Sequence, residues 1–305
     1  MKHKEKPSPR RTLRLLMALC AAGFLLSAFV LFSDNREYAE GNASYRQIRL
    51  IRESSEAAGA PPPVSGGAPA GAARDGRAGG VDFAALKKIN PDVAAWLTAE
   101  GTGIDYPVVR GTDNEYYLRH LFTGRQNKLG AIFMDYRNRA DFSDRNTVIY
   151  GHNMKDGSMF ASLTKYKSQS YYKSFPTMIL YTPGGNFKVE LFAGTAVDGN
   201  RESVRFAFKD ERDFQSYIAS LKKGSTFKSG TLVKAGDRIV TLCTCSYEFN
   251  NARYAVYGKL TPVGESAQSH SSMLSMGSGS AIHFSSNSVR SVLFFLWAIG
   301  LLSFL

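Results

Sequence analysis

Cysteine, histidine and tryptophan are scarce in this sequence, at three, five and two of 305 residues. Three cysteines cannot staple a chain of this size into a disulfide framework, so the fold must rest on a hydrophobic core. With 44% hydrophobic residues the chain can build one and is too apolar for a disordered polymer. Acidic residues are also in deficit, 26 against 38 Lys and Arg, for a net charge of +12. Such an excess suits nucleic acid, an anionic membrane or an anionic wall polymer, and its placement separates them. Lys2, Lys4, Lys6, Arg10, Arg11 and Arg14 face Glu5 alone in residues 1–14, which hold five of the twelve charges. No basic patch interleaved with aromatics stands out elsewhere, so nucleic acid is not an expected partner.

Behind this basic tail, Leu15 to Phe32 is free of charge. As a helix it would reach about 27 Å, close to the hydrocarbon thickness of a bilayer. Positive charge ahead of the run keeps residues 1–14 cytoplasmic and sends everything after Phe32 outside. A cleaved signal peptide is the rival, but no small-x-small site comes after the run. Leu19 before Cys20 also argues against a lipoprotein. The expectation is an uncleaved type II signal anchor over 15–32, then an extracytoplasmic linker over 33–80. Of the 24 residues from Ala57 to Gly80, 19 are Ala, Gly or Pro, the composition of a tether. Within 34–56, Tyr45, Ile48 and Ile51 sit loosely at helical spacing.

The folded domain is read as 81–263. Phe83, Leu86 and Ile89 behind Asp82 predict a short helix, which Asn90-Pro91 ends. Pro91 suits the first turn of a second short helix carrying Val93, Trp96 and Leu97. Short β-rich runs come next at Asp105–Val109, Ala131–Asp135, Thr147–Tyr150, Met178–Thr182, Phe187–Ala196, Arg238–Cys245 and Arg253–Thr261, predicting a mostly antiparallel barrel or sandwich. Helices are expected at Ser158–Tyr166 and Asp210–Leu221. Residues 264–291 are a low-complexity segment, and 292–305 an apolar C-terminal tail of about 21 Å, which leaves a second membrane pass open.

Two reduced thiols on one strand are unusual in an exported protein and point to chemistry, with inert buried cysteines as the alternative. Cys243 and Cys245 lie two residues apart, so their Cα atoms would be about 6.6 Å apart in a strand, near the limit for a disulfide. Alternation over Arg238–Cys245 puts Val240, Leu242 and Thr244 on one face and Thr241, Cys243 and Cys245 on the other, one being core and the other a surface or groove. After the turn-rich Glu248-Phe-Asn-Asn-Ala, Arg253 returns near Cys245 across a hairpin mouth. A guanidinium there would favour the thiolate and could hold a developing oxyanion, or it could simply meet Glu248. Proton transfer points to histidine. His3 is in the tail, His120 in a mixed polar segment, and His270 and His283 in the low-complexity region. His152 opens a Gly-flanked loop at a strand end, where catalytic side chains are commonly displayed. With Cys243 and Cys245 it makes too few ligands for a metal site.

Tyr150-Gly-His-Asn-Met-Lys-Asp-Gly-Ser-Met-Phe, Thr241-Leu-Cys-Thr-Cys and Arg253, in this order behind an apolar anchor, resemble the class B sortases. The resemblance spans about Val81 to Val263 and includes Gly103-Ile-Asp-Tyr-Pro-Val-Val and Ile132-Phe-Met-Asp-Tyr-Arg-Asn. It implies a mostly β fold: an eight-stranded barrel with N-terminal helices and one or two extra helices, preceded by one transmembrane helix. By position it implies Cys245 as nucleophile, His152 as general acid and base, and Arg253 as oxyanion and substrate holder. No metal or organic cofactor is implied.

The implied reaction is transpeptidation. The thiolate attacks the carbonyl of a threonine in the C-terminal sorting signal of a secreted protein. An amine of peptidoglycan, or of its lipid-linked precursor, resolves the acyl-enzyme. Cys243 stands where class B relatives often carry Ser; it is read as a groove wall, with resolution of an oxidised Cys245 as an alternative. Asn114, Leu118, Tyr150 and Ser246 match groove positions, though each could equally be packing or surface. Two other functions stay open: a pilin-polymerising sortase using a lysine acceptor, and a non-enzymatic anchored binding module. The expected setting is the membrane of a Gram-positive type envelope.

Overall fold

The computed structural model describes residues 9–59, 77–78, 80–198, 204–245 and 252–263, leaving aside the side chains of residues 9, 11, 12, 15, 55–59, 77, 78, 198 and 245. The 264–291 segment and the 292–305 tail lie outside the described residues, as does most of the Ala/Gly/Pro-rich stretch.

One helix, α1 (Pro9–Gly59), runs from the basic tail through the apolar run and onward. Its first half is apolar and exposed, with Leu16, Phe24, Leu25, Phe29 and Phe32 all uncovered, and it is long and apolar enough to cross a membrane. The second half continues the helix through the 34–56 stretch whose spacing suggested one. Residues 33–59 are helical, and Tyr45 and Ile48 are buried against the β-domain at the spacing the sequence suggested. Tyr45 Oη donates to Gly130 O at 2.7 Å and accepts from Phe122 N at 3.3 Å. Polar ties flank this contact. Lys128 Nζ reaches Asp34 at 2.8 Å, Lys128 N donates to Glu37 Oε1 at 2.7 Å, and Arg125 pairs with Glu40.

A short antiparallel ribbon, β1 (Arg77–Ala78) and β2 (Val81–Asp82), leads into α2 (Phe83–Ile89), whose Asp82 cap accepts from Ala85 N at 2.9 Å. The next element corrects the expectation of a second short helix. Val93–Ala99 is a strand, β3, lying between two barrel neighbours. Three apolar residues at i, i+3 and i+4 mimic a helical turn. Yet Ala95, Trp96 and Leu97 are all fully buried, and a ladder on each edge satisfies backbone groups that so short a helix would leave unpaired.

The seven β-rich runs all form strands with slightly shifted ends: β4 (Ile104–Val109), β5 (Ile132–Met134), β6 (Asn146–Tyr150), β7 (Thr177–Thr182), β8 (Gly185–Asp198), β9 (Arg238–Cys245) and β10 (Ala252–Pro262). With β3 they close a barrel in the order β10-β8-β7-β3-β4-β5-β6-β9, the eight-stranded architecture expected. Two neighbouring pairs, β4·β5 and β6·β9, are parallel. Between β6 and β7 lie a 3₁₀ turn at Ala161–Lys167 and the short α3 (Gln169–Ser174). Between β8 and β9, α4 (Glu211–Lys223) buries Phe214, Tyr217, Ile218 and Leu221 against the outside of the barrel wall.

Candidate active site

The site is assembled by strand register. In the parallel pair β6·β9, Tyr150 is the Cα partner of Cys243, and Gly151 N donates to Cys243 O at 3.1 Å. β6 ends at Tyr150, and His152 follows it at the same end of the barrel at which the parallel β9 ends in Cys245. In the antiparallel pair β9·β10, Cys245 is the Cα partner of Arg253. Three residues separated by 93 and 8 positions thus arrive at one end of the barrel, where neighbouring strands are about 4.8 Å apart. The thiol of Cys245, and Ser246 as a whole, lie outside the described residues.

Gly151 is required where it stands. A Cβ there would come within 2.4 Å of Ile132 Cδ1 and 2.8 Å of the Phe160 ring, so any side chain would push the strand end outward. Beyond it His152 is half-buried and held twice. Its Nε2 donates to Leu118 O at 2.7 Å, and its own carbonyl accepts from Phe160 N at 2.9 Å. A carbonyl oxygen only accepts, so Nε2 carries a hydrogen in this bond. A cleft of about 430 Å³ runs beside the imidazole, lined by Glu37, Leu118, Arg119, Gln126, Asn127, Lys128 and His152. Leu118 acts here through its backbone, in a 3₁₀ turn (Tyr116–Leu118).

The residues expected along the groove divide. The face of β9 bearing Thr241 and Cys243 was expected to be core, surface or groove, and burial decides it. Thr241 and Cys243 are 0% and 2% exposed. Their strand partners Tyr257 and Ala255 belong, with Ile239, to the apolar cluster under α4. Val240 and Leu242 fill the barrel interior instead. Both faces are therefore core for most of β9, and the Cys243 thiol offers no surface to a substrate. This burial does not fit its reading as a groove wall. Burial next to Tyr217 and Cys243 pushes the Tyr257 hydroxyl well above its ordinary pKa.

Asn114 and Tyr150 do lie near the site, but their polar atoms turn inward. Asn114 Nδ2 and Tyr150 Oη donate to the same carboxylate oxygen of Asp135, each at 3.0 Å. Burial, then the Asp135 charge and hydrogen bond, push the Tyr150 hydroxyl up. Asp135 itself would be raised by burial, but hydrogen bonds from the Arg137 side chain and backbone and from Asn114 outweigh this and hold it below the usual carboxylate range. Sequence reasoning placed Asp135 within a motif without giving it a role. The available signal was a lone acid closing the apolar run Ala131-Ile-Phe-Met. Arg253 is half-buried, with Val197 as its second Cα partner. No cluster of three or more metal-ligating side chains occurs among the described residues.

Comparison with known proteins carries these observations to a family. A family model described as a sortase domain matches residues 97–261, more than half of the chain. Sortase B of Listeria monocytogenes is 41% identical over 177 residues, covering 57% of this chain and 72% of that relative. Sortase B of Staphylococcus aureus is 32% identical over 183 residues, covering 59% and 75%. A crystal structure titled as a Staphylococcus aureus sortase B-substrate complex superposes with a TM-score of 0.65 at 27% identity, covering 75% of this chain and 99% of the other. Matching barrel, matching domain and two relatives above 30% identity agree: the chain belongs to the sortase family of cysteine transpeptidases, and within it to class B.

Proposed function

We propose that Cys245 is the nucleophile, His152 the general acid and base, and Arg253 the group that holds the substrate carbonyl and the oxyanion formed from it. The Cys245 thiolate attacks the carbonyl carbon of a threonine in a C-terminal sorting signal. The C–N bond of the tetrahedral intermediate breaks, His152 protonates the leaving amine, and a thioester remains. An amine of peptidoglycan or its lipid-linked precursor then attacks the thioester, giving up a proton to His152 as the thiolate departs. Arg253, always charged, stabilises both intermediates.

The reading is carried by the register around β9, in which Arg253 is the direct partner of Cys245 and β6 runs parallel alongside. Strand-end residues on a closed barrel hold mutual distances better than loop residues, as positioning of reacting groups requires. The His152 Nε2 bond to Leu118 O orients the ring beside the cleft. Anchoring through residues 15–32 of α1, with the barrel outside the cell membrane, is part of the same proposal and is supported by the exposed apolar helix behind a basic tail. Family membership leaves no support for a non-enzymatic binding module. A pilin-polymerising role drew on the 292–305 tail, which lies outside the described residues.

The test is mass spectrometry of the protein incubated with threonine-containing sorting peptides. A covalent adduct on Cys245, absent from Cys245→Ala, is expected. An adduct that persists in Cys245→Ala would remove the assigned nucleophile.

A further inference from the structure

Asp135 is a buried charged group that the reaction does not use. This carboxylate comes directly after β5, its side chain is 0% exposed, and it gathers five hydrogen bonds. Oδ1 accepts from Arg137 N at 3.0 Å and Arg137 Nε at 2.9 Å. Oδ2 accepts from Arg137 Nη2 at 2.9 Å, Asn114 Nδ2 at 3.0 Å and Tyr150 Oη at 3.0 Å. Three separate segments thus converge on one charge. Asn114 is locked further, because its Oδ1 accepts from Tyr136 N at 3.1 Å. Arg137 extends the network, its guanidinium lying 4.0 Å from the centre of the Phe206 ring in the segment that leads into α4.

Burying an ion pair is costly, and well-packed apolar residues of similar volume often stabilise a fold as well or better. A buried carboxylate with five donors therefore suggests a need for orientation rather than for stability alone. The group it orients is adjacent to the chemistry. Tyr150 is the register partner of Cys243 and precedes Gly151 and His152 directly. Its hydroxyl is turned in to Asp135, so the half-buried ring, not the hydroxyl, is what it can offer outward.

We propose that Asp135 is a positioning residue for the peptide groove. It holds the Tyr150 ring and the Asn114 loop in the arrangement a sorting peptide packs against, while taking no part in thiol or imidazole chemistry. This rests on the assignment of Cys245 and His152 above. It adds that Tyr150 and Asn114 act as shaped walls and not as hydrogen-bond readers of the peptide.

The experiment measures kcat and KM of the full chain in detergent for an equimolar set of fluorogenic peptides with an internal threonine. Wild type, Asp135→Asn, Tyr150→Phe and the double variant are compared, alongside the rate of Cys245 alkylation by iodoacetamide. Loss of a charge-assisted contact predicts a rise in KM of about tenfold for Asp135→Asn, with kcat and alkylation within about twofold of wild type. In the Tyr150→Phe background the further rise should shrink to about threefold or less, because the two changes break the same link. Unchanged KM, full multiplication of the two effects, or a parallel fall in alkylation would overturn the proposal. Should Asp135→Asn not fold, Asn114→Ala paired with Tyr150→Phe reads the same coupling. Wild type forming no thioester with any peptide would instead sink the functional assignment, which separates the two failures.

Discussion

If residues 33–59 belong to the folded body, deleting one hydroxyl in them must destabilise a barrel that begins more than thirty residues later. Tyr45 is 1% exposed, bridges Gly130 O and Phe122 N, and meets Tyr106 edge-to-face at 5.2 Å. Tyr45→Phe keeps the ring contact and strands a buried carbonyl and a buried N–H, a cost of about 1–3 kcal/mol. For a body of this size each kcal/mol lowers Tm by roughly 2–4 °C, so a fall of roughly 2–12 °C is expected. Tyr45→Ala also removes the ring and leaves a cavity worth about 3–5 kcal/mol. Its Tm should fall by roughly 10 °C or more. The assay is thermal unfolding of the full chain in detergent, monitored by near-ultraviolet circular dichroism. A tether would tolerate both changes, so a shift below about 1 °C in either variant would refute the packing of α1. The outcome bears on function, because a helix continuous from the apolar run into the body fixes how far the cleft beside Glu37 and His152 stands from the end of that run.

Gly151→Ala should cost about 1–3 kcal/mol through overpacking against Ile132 and Phe160, and should lower peptide cleavage at least about tenfold by moving His152; retained cleavage in a folded variant would show that the strand end yields freely. The folded pKa of Asp135 is depressed, so its contribution is fully present above about pH 4 and is lost as pH falls through its folded value. Urea unfolding of Asp135→Asn should therefore show lower stability near neutrality and a shallower loss on acidification, and an acid limb as steep as that of wild type would contradict this. Cys243→Ser places a hydroxyl at a buried position and should lower stability by about 1–2 kcal/mol while leaving peptide cleavage substantial; abolished cleavage in a folded protein would give this thiol a direct role.

Local patterns carried much of the reading because they depend on neighbours a few residues away. The apolar run of α1, the cap at Asp82, the amphipathic spacing of α4 and the alternation of β9 all fall within the span of one element. The residues proposed to carry the chemistry are those that linear order offered: a histidine opening a strand-end loop, and a thiol with an arginine returning behind it. Where one element competes with another, linear order fails. Val93–Ala99 has a helical turn's spacing and becomes a strand because β4 and β7 occupy both its edges.

Tertiary structure alone decided three matters, each through partners outside the element concerned. Tyr45 is buried by residues about 60 to 85 positions away, which no composition of the intervening linker reveals. Cys243 is buried in a barrel wall where its strand partner Ala255 packs into the apolar cluster that α4 joins. Asp135 becomes a hub because Asn114, Arg137 and Tyr150, on three segments, aim their donors at one buried charge. Alternation tells which side chains share a face, but what that face meets is set by packing, and packing is a property of the closed barrel.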